Sequence, residues 1–93
     1  MTNANDELAG VSAVAIRQVR IHTVLEGMTM EHIAERTGVC RETVSRRLKS
    51  TDMKVADYMS LCHSVGMDPA DNLDDAIAAA SRFRSEGAGH ASR

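Results

Sequence analysis

The stretch TMEHIAERTGVCRETVSRRLKS, residues 29–50, decides the fold of this chain. Thr29 is a suitable N-cap for a short helix over 30–36, and Gly38 ends that helix because glycine adopts positive φ without strain. A second short helix over 41–49 follows after a brief turn. Helices of this length are not stable alone, so the two are expected to pack against each other. The pattern predicts a helix-turn-helix at about residues 29–49.

Apolar side chains in this stretch recur where two crossing helices need them. Ile33, Val39 and Val44 are predicted to fix the angle between the helices, and Ala34 is small enough for the second helix to cross close above it. The remaining positions of the second helix are polar, basic or hydroxyl-bearing, so its outer face is expected to be solvated.

The first helix is predicted over 6–26, with Gly27 just past its end. Its apolar residues are too many for one narrow stripe, and a partner subunit is one explanation for the surplus. Its predicted apolar face consists of Val11, Val14, Ile21 and Leu25, with Ile16, Val19 and Val24 around it.

Two more helices are predicted after the helix-turn-helix. The fourth covers 54–65, and the fifth runs from Pro69, capped by Asp68, to about Arg84. The apolar side of the fourth is predicted to hold Val55, Tyr58, Met59, Cys62 and Val65. The seam of the fifth is predicted to hold Leu73, Ile77, Ala80 and Phe83.

Length and composition agree with one small helical domain. The chain has 93 residues, and aromatic residues are only 2% of it, which disfavours a β-sandwich or barrel. The fold class is therefore predicted to be all-α with five helices, over a single domain at 6–84. Residues 1–5 are predicted to be disordered, and 85–93 are predicted to form a flexible polar tail.

Charge is distributed unevenly along the chain. Residues 36–54 hold six basic and two acidic residues, a net charge of +4, whereas the rest of the chain carries −6. A concentrated basic stretch in an acidic protein is typical of a surface that meets a polyanion.

The sequence contains no apolar run long enough to span a bilayer and no basic start of a signal peptide. Cys40 and Cys62 have neither CxxC nor zinc-ligand spacing, so both are expected to be reduced thiols without a metal. No nucleophile, base and carboxylate fall into a recognisable arrangement. We therefore expect a cytoplasmic protein that is not an enzyme and needs no cofactor.

The segment at residues 29–50 resembles the helix-turn-helix of the Cro and lambda-repressor-like regulators of phages and bacteria. Within it, GVCRETVSR, residues 38–46, also resembles the reading helix of LacI-type proteins. The turn GMDPA, residues 66–70, resembles that family's link into a fifth helix. The resemblance covers about residues 11–80 and implies a DNA-binding domain of the lambda-repressor-like fold.

The resemblance implies that the helix over 41–49 lies in the major groove. Arg41, Glu42 and Arg46 match the positions that read bases. Because Arg pairs with guanine and Glu accepts from cytosine, G and C are expected among the contacted bases. The remaining implied contacts, to phosphates or the groove wall, are Thr29, Arg36, Cys40, Thr43, Ser45, Arg47 and Lys49.

The chain departs from the family pattern at three positions. Cys40 stands where a Ser or Thr cap is usual, Met30 stands where Gln is frequent, and Arg47 stands where many members have an apolar residue. The resemblance still implies a transcriptional repressor that binds a two-fold symmetric operator as a homodimer and needs no small-molecule ligand. By the same analogy, the fifth helix at 73–83 is the favoured dimer surface, and the surplus face of the first helix is the alternative.

Two other functions remain open at this point. A helical protein-interaction module, such as an antitoxin or antirepressor subunit, would bind DNA weakly and without sequence preference. A recombination accessory factor of the excisionase kind would bend DNA at phased sites. A helical corner that binds no DNA at all is the plain structural alternative.

Overall fold

The computed structural model describes the backbone of residues 4–91 and the exposure of side chains 10–82. Every regular element in the described backbone is helical, which confirms the predicted all-α class and the order of the helices. The helices are α1 (Ala4–Leu25), α2 (Met30–Thr37), α3 (Arg41–Lys49), α4 (Val55–Ser64) and α5 (Pro69–Ala91). None of them, within that range, is both long and apolar enough to cross a membrane.

Both outer helices are longer than predicted. α1 already includes Ala4 and Asn5, which the sequence assigned to a disordered N-terminus, and α5 continues through residues 85–91 to Ala91. No proline interrupts 85–91, and each added residue of a helix gains one hydrogen bond. The predicted end at Arg84 was therefore too early. Residues 1–3, 92 and 93 lie outside the described residues.

The predicted capping roles of Thr29, Gly38 and Asp68 are confirmed. The Thr29 hydroxyl accepts a hydrogen bond from the His32 N–H at 3.1 Å, and the Asp68 carboxylate accepts one from the Ala70 N–H at 2.8 Å. Gly38 has φ of 77°, and its N–H donates to the Ala34 carbonyl. These local groups satisfy backbone atoms that a helix end leaves unpaired.

One apolar core lies beneath the helix-turn-helix. Ile33 of α2 and Val44 of α3 are buried at its centre, as their spacing predicts. The buried apolar residues Ala15, Ile16 and Ala76 lie outside its central cluster, which consists of Val19, Ile33, Val44, Leu48, Leu61, Cys62 and Val65. Four helices contribute to it, and α5 does not. Burial of this apolar surface holds α2 and α3 in a fixed relative orientation.

The predicted apolar face of α1 was wrong in part: Val11 and Val14 are half-buried, whereas its C-terminal residues are exposed. Ile21, Val24 and Leu25 are 45%, 74% and 79% exposed. Among residues 10–25, the part of α1 whose side-chain exposure is described, the buried residues are Ala15, Ile16, Val19 and Thr23. Small side chains on this face let α5 pack close to α1, which the count of large apolar residues did not reveal.

The predicted seams of α4 and α5 were also wrong in part. Leu73 and Ile77 of α5 are 40% and 47% exposed, because α5 turns Asn72 and Ala76 inward instead. On α4, Cys62 is buried as expected, whereas Val55 and Met59 are 73% and 52% exposed. The two helices therefore leave large apolar side chains on the surface.

A small hydrogen-bond network joins α5 to α1 and α4. The buried Asn72 amide donates to the Ala15 carbonyl at 3.2 Å and to the Tyr58 hydroxyl at 2.8 Å, and it accepts from Gln18 at 2.8 Å. Tyr58 in turn donates to the Pro69 carbonyl at 2.9 Å. All these groups are paired, so the buried polar residue is compatible with a stable interface.

Candidate nucleic-acid interface

α3 is amphipathic in a way that separates its packing face from its solvent face. Val44 and Leu48, one turn apart, are buried in the core. The opposite face lines a shallow concave surface, hereafter the α3 surface. The residues of the α3 surface are Arg41, Glu42, Ser45, Arg46, Lys49 and Ser50.

Positive charge dominates the α3 surface. It brings together three cationic side chains and one carboxylate, that of Glu42. Arg41, Arg46 and Lys49 are all exposed, so their cationic groups are accessible from solvent, although Arg41 already pairs with Glu31. A rigid helix that presents arginines, a carboxylate and hydroxyls can bind anions and can also form specific hydrogen bonds with the donors and acceptors of a ligand surface.

The N-terminal end of α3 carries a second set of contacts. Nη1 of Arg41 lies 3.4 Å from Oε1 of Glu31, which is in the first turn of α2. Cys40 occupies the N-cap without a side-chain cap bond, as its residue type predicts, and its Sγ lies 3.0 Å from the Thr43 hydroxyl. Hydrogen bonding to Thr43 lowers the pKa of the exposed Cys40 thiol.

Five of the predicted site residues meet on the α3 surface, and five do not. Cys40 and Thr43 adjoin it at the start of α3. Arg36 donates to the Ser64 carbonyl at 3.0 Å, and Arg47 lies 3.5 Å from the Asp57 carboxylate. Both arginines therefore contact α4 in this structure. The Thr29 hydroxyl is used in capping α2.

Two residues near the site were not predicted from the sequence. Arg20 donates from Nη1 to the Leu48 carbonyl at 2.9 Å, so a cation of α1 satisfies an unpaired carbonyl at the end of α3. Glu31 pairs with Arg41. Both contacts join different helices, and no spacing rule within one helix would have found them.

Comparison with known proteins leaves the site to be interpreted from its own geometry. No protein-family model, no curated protein and no solved structure matches this chain. Within the described part of the chain, no three His, Cys, Asp or Glu residues are grouped so that they could hold a metal ion.

Proposed function

We propose that this protein is a sequence-specific DNA-binding transcriptional regulator with a lambda-repressor-like helix-turn-helix, and that it acts as a repressor. The observation that carries the proposal is the division of α3 into a buried apolar face and an exposed cationic face. A helix anchored in this way fits the major groove, whose width admits one α-helix.

Base recognition is assigned to the first two turns of α3. Arg41, Glu42 and Arg46 point to G and C in the contacted sequence, because their side chains complement guanine N7 and O6 and cytosine N4. Lys49 and Ser45 lie on the same surface and are assigned to phosphates or the groove wall. Arg36 and Arg47, which contact α4, would reach phosphates only after exchanging those partners.

The protein is proposed to act as a homodimer on a two-fold symmetric operator. One α3 covers only a few base pairs, and two copies on half-sites about one helical turn apart provide adequate specificity. Occupancy of such a site in a promoter blocks polymerase. This mechanism places the protein at the nucleoid, in the cytoplasm.

Fluorescence anisotropy on duplex DNA tests the proposal. One labelled duplex comes from the promoter region of the protein's own gene and the other is a scrambled sequence, each measured across a salt series. We expect a preference of about a thousandfold or more for the promoter duplex. Equal, weak and steeply salt-dependent binding to both would contradict the proposal and favour a protein-interaction module.

Two substitutions at one position distinguish a base contact from a phosphate contact. Arg46→Lys keeps the charge but loses the planar, bidentate guanidinium. If Arg46 reads a guanine, both Arg46→Lys and Arg46→Ala reduce the preference for the promoter duplex, by about 1–3 kcal/mol for Ala. If Arg46→Ala weakens binding to both duplexes equally and Arg46→Lys restores it, Arg46 binds phosphate.

A further inference from the structure

An exposed ion pair joins the first turn of α2 to the first residue of α3. Nη1 of Arg41 donates to Oε1 of Glu31 at 3.4 Å, and the two side chains are 64% and 74% exposed. Ion pairs so open to solvent contribute little to stability. The packing of α2 against α3 is accounted for by the buried Ile33 and Val44. What the pair changes is the charge that Arg41 presents to a ligand.

The two ends of the α3 surface differ in charge once Glu31 is counted. At the N-terminal end, Arg41 pairs with Glu31 and is followed on the chain by the exposed Glu42. Toward the C-terminal end, Arg46 and Lys49 have no ion-pair partner within the part of the chain that the structure describes. The positive potential of the α3 surface therefore comes mainly from its C-terminal end.

We propose that Glu31 is a specificity-determining residue, which withholds the Arg41 guanidinium from DNA phosphates and leaves it available to a base edge. The inference deepens the proposed function, on which it rests for the placement of α3 in the major groove. Glu31 acts through Arg41 and is in that sense a positioning residue.

The ion pair distinguishes phosphates from bases by their charge. A phosphate that approaches Arg41 must displace the Glu31 carboxylate or lie beside it, and the two anions repel each other. A base edge carries no net charge, so it meets no such repulsion and is selected by hydrogen-bond geometry. Binding without sequence preference arises almost entirely from phosphate contacts. Glu31 therefore weakens binding to an arbitrary duplex more than binding to the correct sequence.

The geometry of the pair leaves donors of Arg41 for a guanine. Glu31 accepts from Nη1 alone. The edge of the guanidinium formed by Nε and Nη2 carries two parallel donors, which is the arrangement that complements guanine N7 and O6. A side chain held by a carboxylate at one nitrogen also loses less rotamer freedom on binding. Arg41 can therefore keep Glu31 and pair with guanine at the same time.

Fluorescence anisotropy on the scrambled duplex, across a salt series, tests the inference. Glu31→Gln keeps the shape of the side chain and removes its charge. We expect it to tighten binding to this duplex about threefold or more and to steepen the salt dependence by about one phosphate contact. Glu35→Gln is the matched control, because Glu35 is an exposed carboxylate of the same helix with no ion-pair partner among the described residues. It should change the dissociation constant by less than about twofold, since salt screens a more distant charge.

The variant Arg41→Ala tests whether Glu31 acts through Arg41. In this background Glu31→Gln should change binding to the scrambled duplex by less than about twofold, because no guanidinium remains to be released. Circular dichroism verifies that each variant remains helical, and a loss of structure would weaken binding where the inference expects it to tighten. The inference is overturned by no tightening in Glu31→Gln, by equal tightening in Glu35→Gln, or by a tightening that persists with Arg41→Ala.

The promoter duplex separates this inference from the proposed function. If the wild-type protein prefers the promoter duplex, Glu31→Gln should reduce that preference about threefold or more, because binding to the scrambled duplex tightens and binding to the promoter duplex does not. An unchanged preference would overturn the inference and leave the proposed function standing. A wild-type protein that binds both duplexes alike would overturn the proposed function, and Glu31→Gln on the scrambled duplex would still decide whether Glu31 withholds Arg41 from phosphates.

Discussion

Arg20 of α1 donates a hydrogen bond of 2.9 Å to the carbonyl oxygen of Leu48, in the last turn of α3. Leu48 itself is buried in the core, so this single residue is held from two directions: its side chain by apolar packing and its carbonyl by a guanidinium. The contact also places a cation at the negative end of the α3 dipole. Arg20 is therefore a positioning residue for the proposed reading helix.

Replacing Arg20 by Met is expected to lower the free energy of unfolding by about 1 kcal/mol. The change keeps much of the aliphatic stem but removes the donor to the Leu48 carbonyl. Urea denaturation followed by circular dichroism measures the effect. Arg17→Met, at an exposed arginine one turn earlier on α1, is the control and should change stability by less than about 0.5 kcal/mol. Equal losses in the two variants would mean that the hydrogen bond is not what stabilises α3.

Gly38→Ala is expected to destabilise the protein by about 1–2 kcal/mol. The backbone of Gly38 is left-handed, with φ of 77°, and an added Cβ there would strain the backbone even though it meets no atom within 4 Å. Gly10→Ala is the matched comparison, because Gly10 lies inside α1 and its Cβ would also meet open space. That change should stabilise the protein by roughly 0.5–1 kcal/mol. If the midpoint of thermal or urea unfolding shifts in the same direction in both variants, the left-handed conformation assigned to Gly38 is contradicted.

Tyr58 is expected to ionise at unusually high pH. Burial, as the largest cause, raises the pKa of its hydroxyl to about 12. It is the only tyrosine of the chain and tryptophan is absent, so the ultraviolet absorbance of tyrosinate reports this residue alone. We expect a titration near pH 12 in the folded protein and near the ordinary value of about 10 in denaturant. Identical midpoints in both states would show that Tyr58 is freely hydrated.

The raised pKa of Tyr58 determines the direction in which the stability of the protein changes with pH. A pKa that is higher in the folded state means that the folded protein holds the proton more tightly. The contribution of Tyr58 is therefore fully present below about pH 10 and is lost as the pH rises toward 12. Tyr58→Phe should make the free energy of unfolding less dependent on pH between about pH 10 and about pH 12. The variant should also be less stable at neutral pH, because it loses the hydrogen bond to the Pro69 carbonyl.

The two thiols are expected to differ in reactivity. Cys40 is exposed and hydrogen bonding to Thr43 lowers its pKa, whereas burial raises the pKa of the buried Cys62 thiol. A disulfide reagent at neutral pH should modify one thiol rapidly and the second only on unfolding. Cys40→Ser should remove the fast phase, and Cys62→Ser should leave it. A fast phase that survives in Cys40→Ser would place Cys62 at the surface.

The thiol reaction also bears on the proposed DNA complex. Cys40 is the N-cap of α3, at the end proposed to approach base edges. Addition of the promoter duplex should slow its modification, and the scrambled duplex at the same concentration should protect it less. Equal reactivity with and without bound promoter duplex would contradict an α3 that enters the groove by its N-terminal end.

The pair α2 and α3 with the turn between them could be located from sequence because local groups determine it. Thr29 caps α2, Gly38 adopts the turn conformation, and Ile33 and Val44 repeat at helical spacing. The outer helices could not be oriented in the same way. Their buried faces depend on close packing of small residues such as Ala76 and on hydrogen bonds of Asn72, whereas counting large apolar residues selected Leu73 and Ile77.

The residues that share the α3 surface could be grouped from the sequence, whereas the contacts around that surface could not. The exposed face of a helix whose buried residues are known follows from its period, so Arg41, Arg46 and Lys49 could be grouped. Arg47 lies on the same helix, but its side chain contacts Asp57 of α4. Sequence alone does not reveal such a pairing, because it depends on where α4 crosses.

Among its described side chains, residues 69–82, α5 buries only one apolar side chain, that of Ala76, and this has a consequence for the order in which the protein opens. α5 is joined to α1 and α4 by Asn72 and small side chains, whereas the four other helices share buried Ile, Leu and Val residues. Local unfolding occurs first in segments that bury little apolar surface. Backbone amides of α5 should therefore exchange with solvent deuterium sooner than those around Ile33 and Val44. The proposed reading helix would then persist in a partly open species from which α5 has already detached.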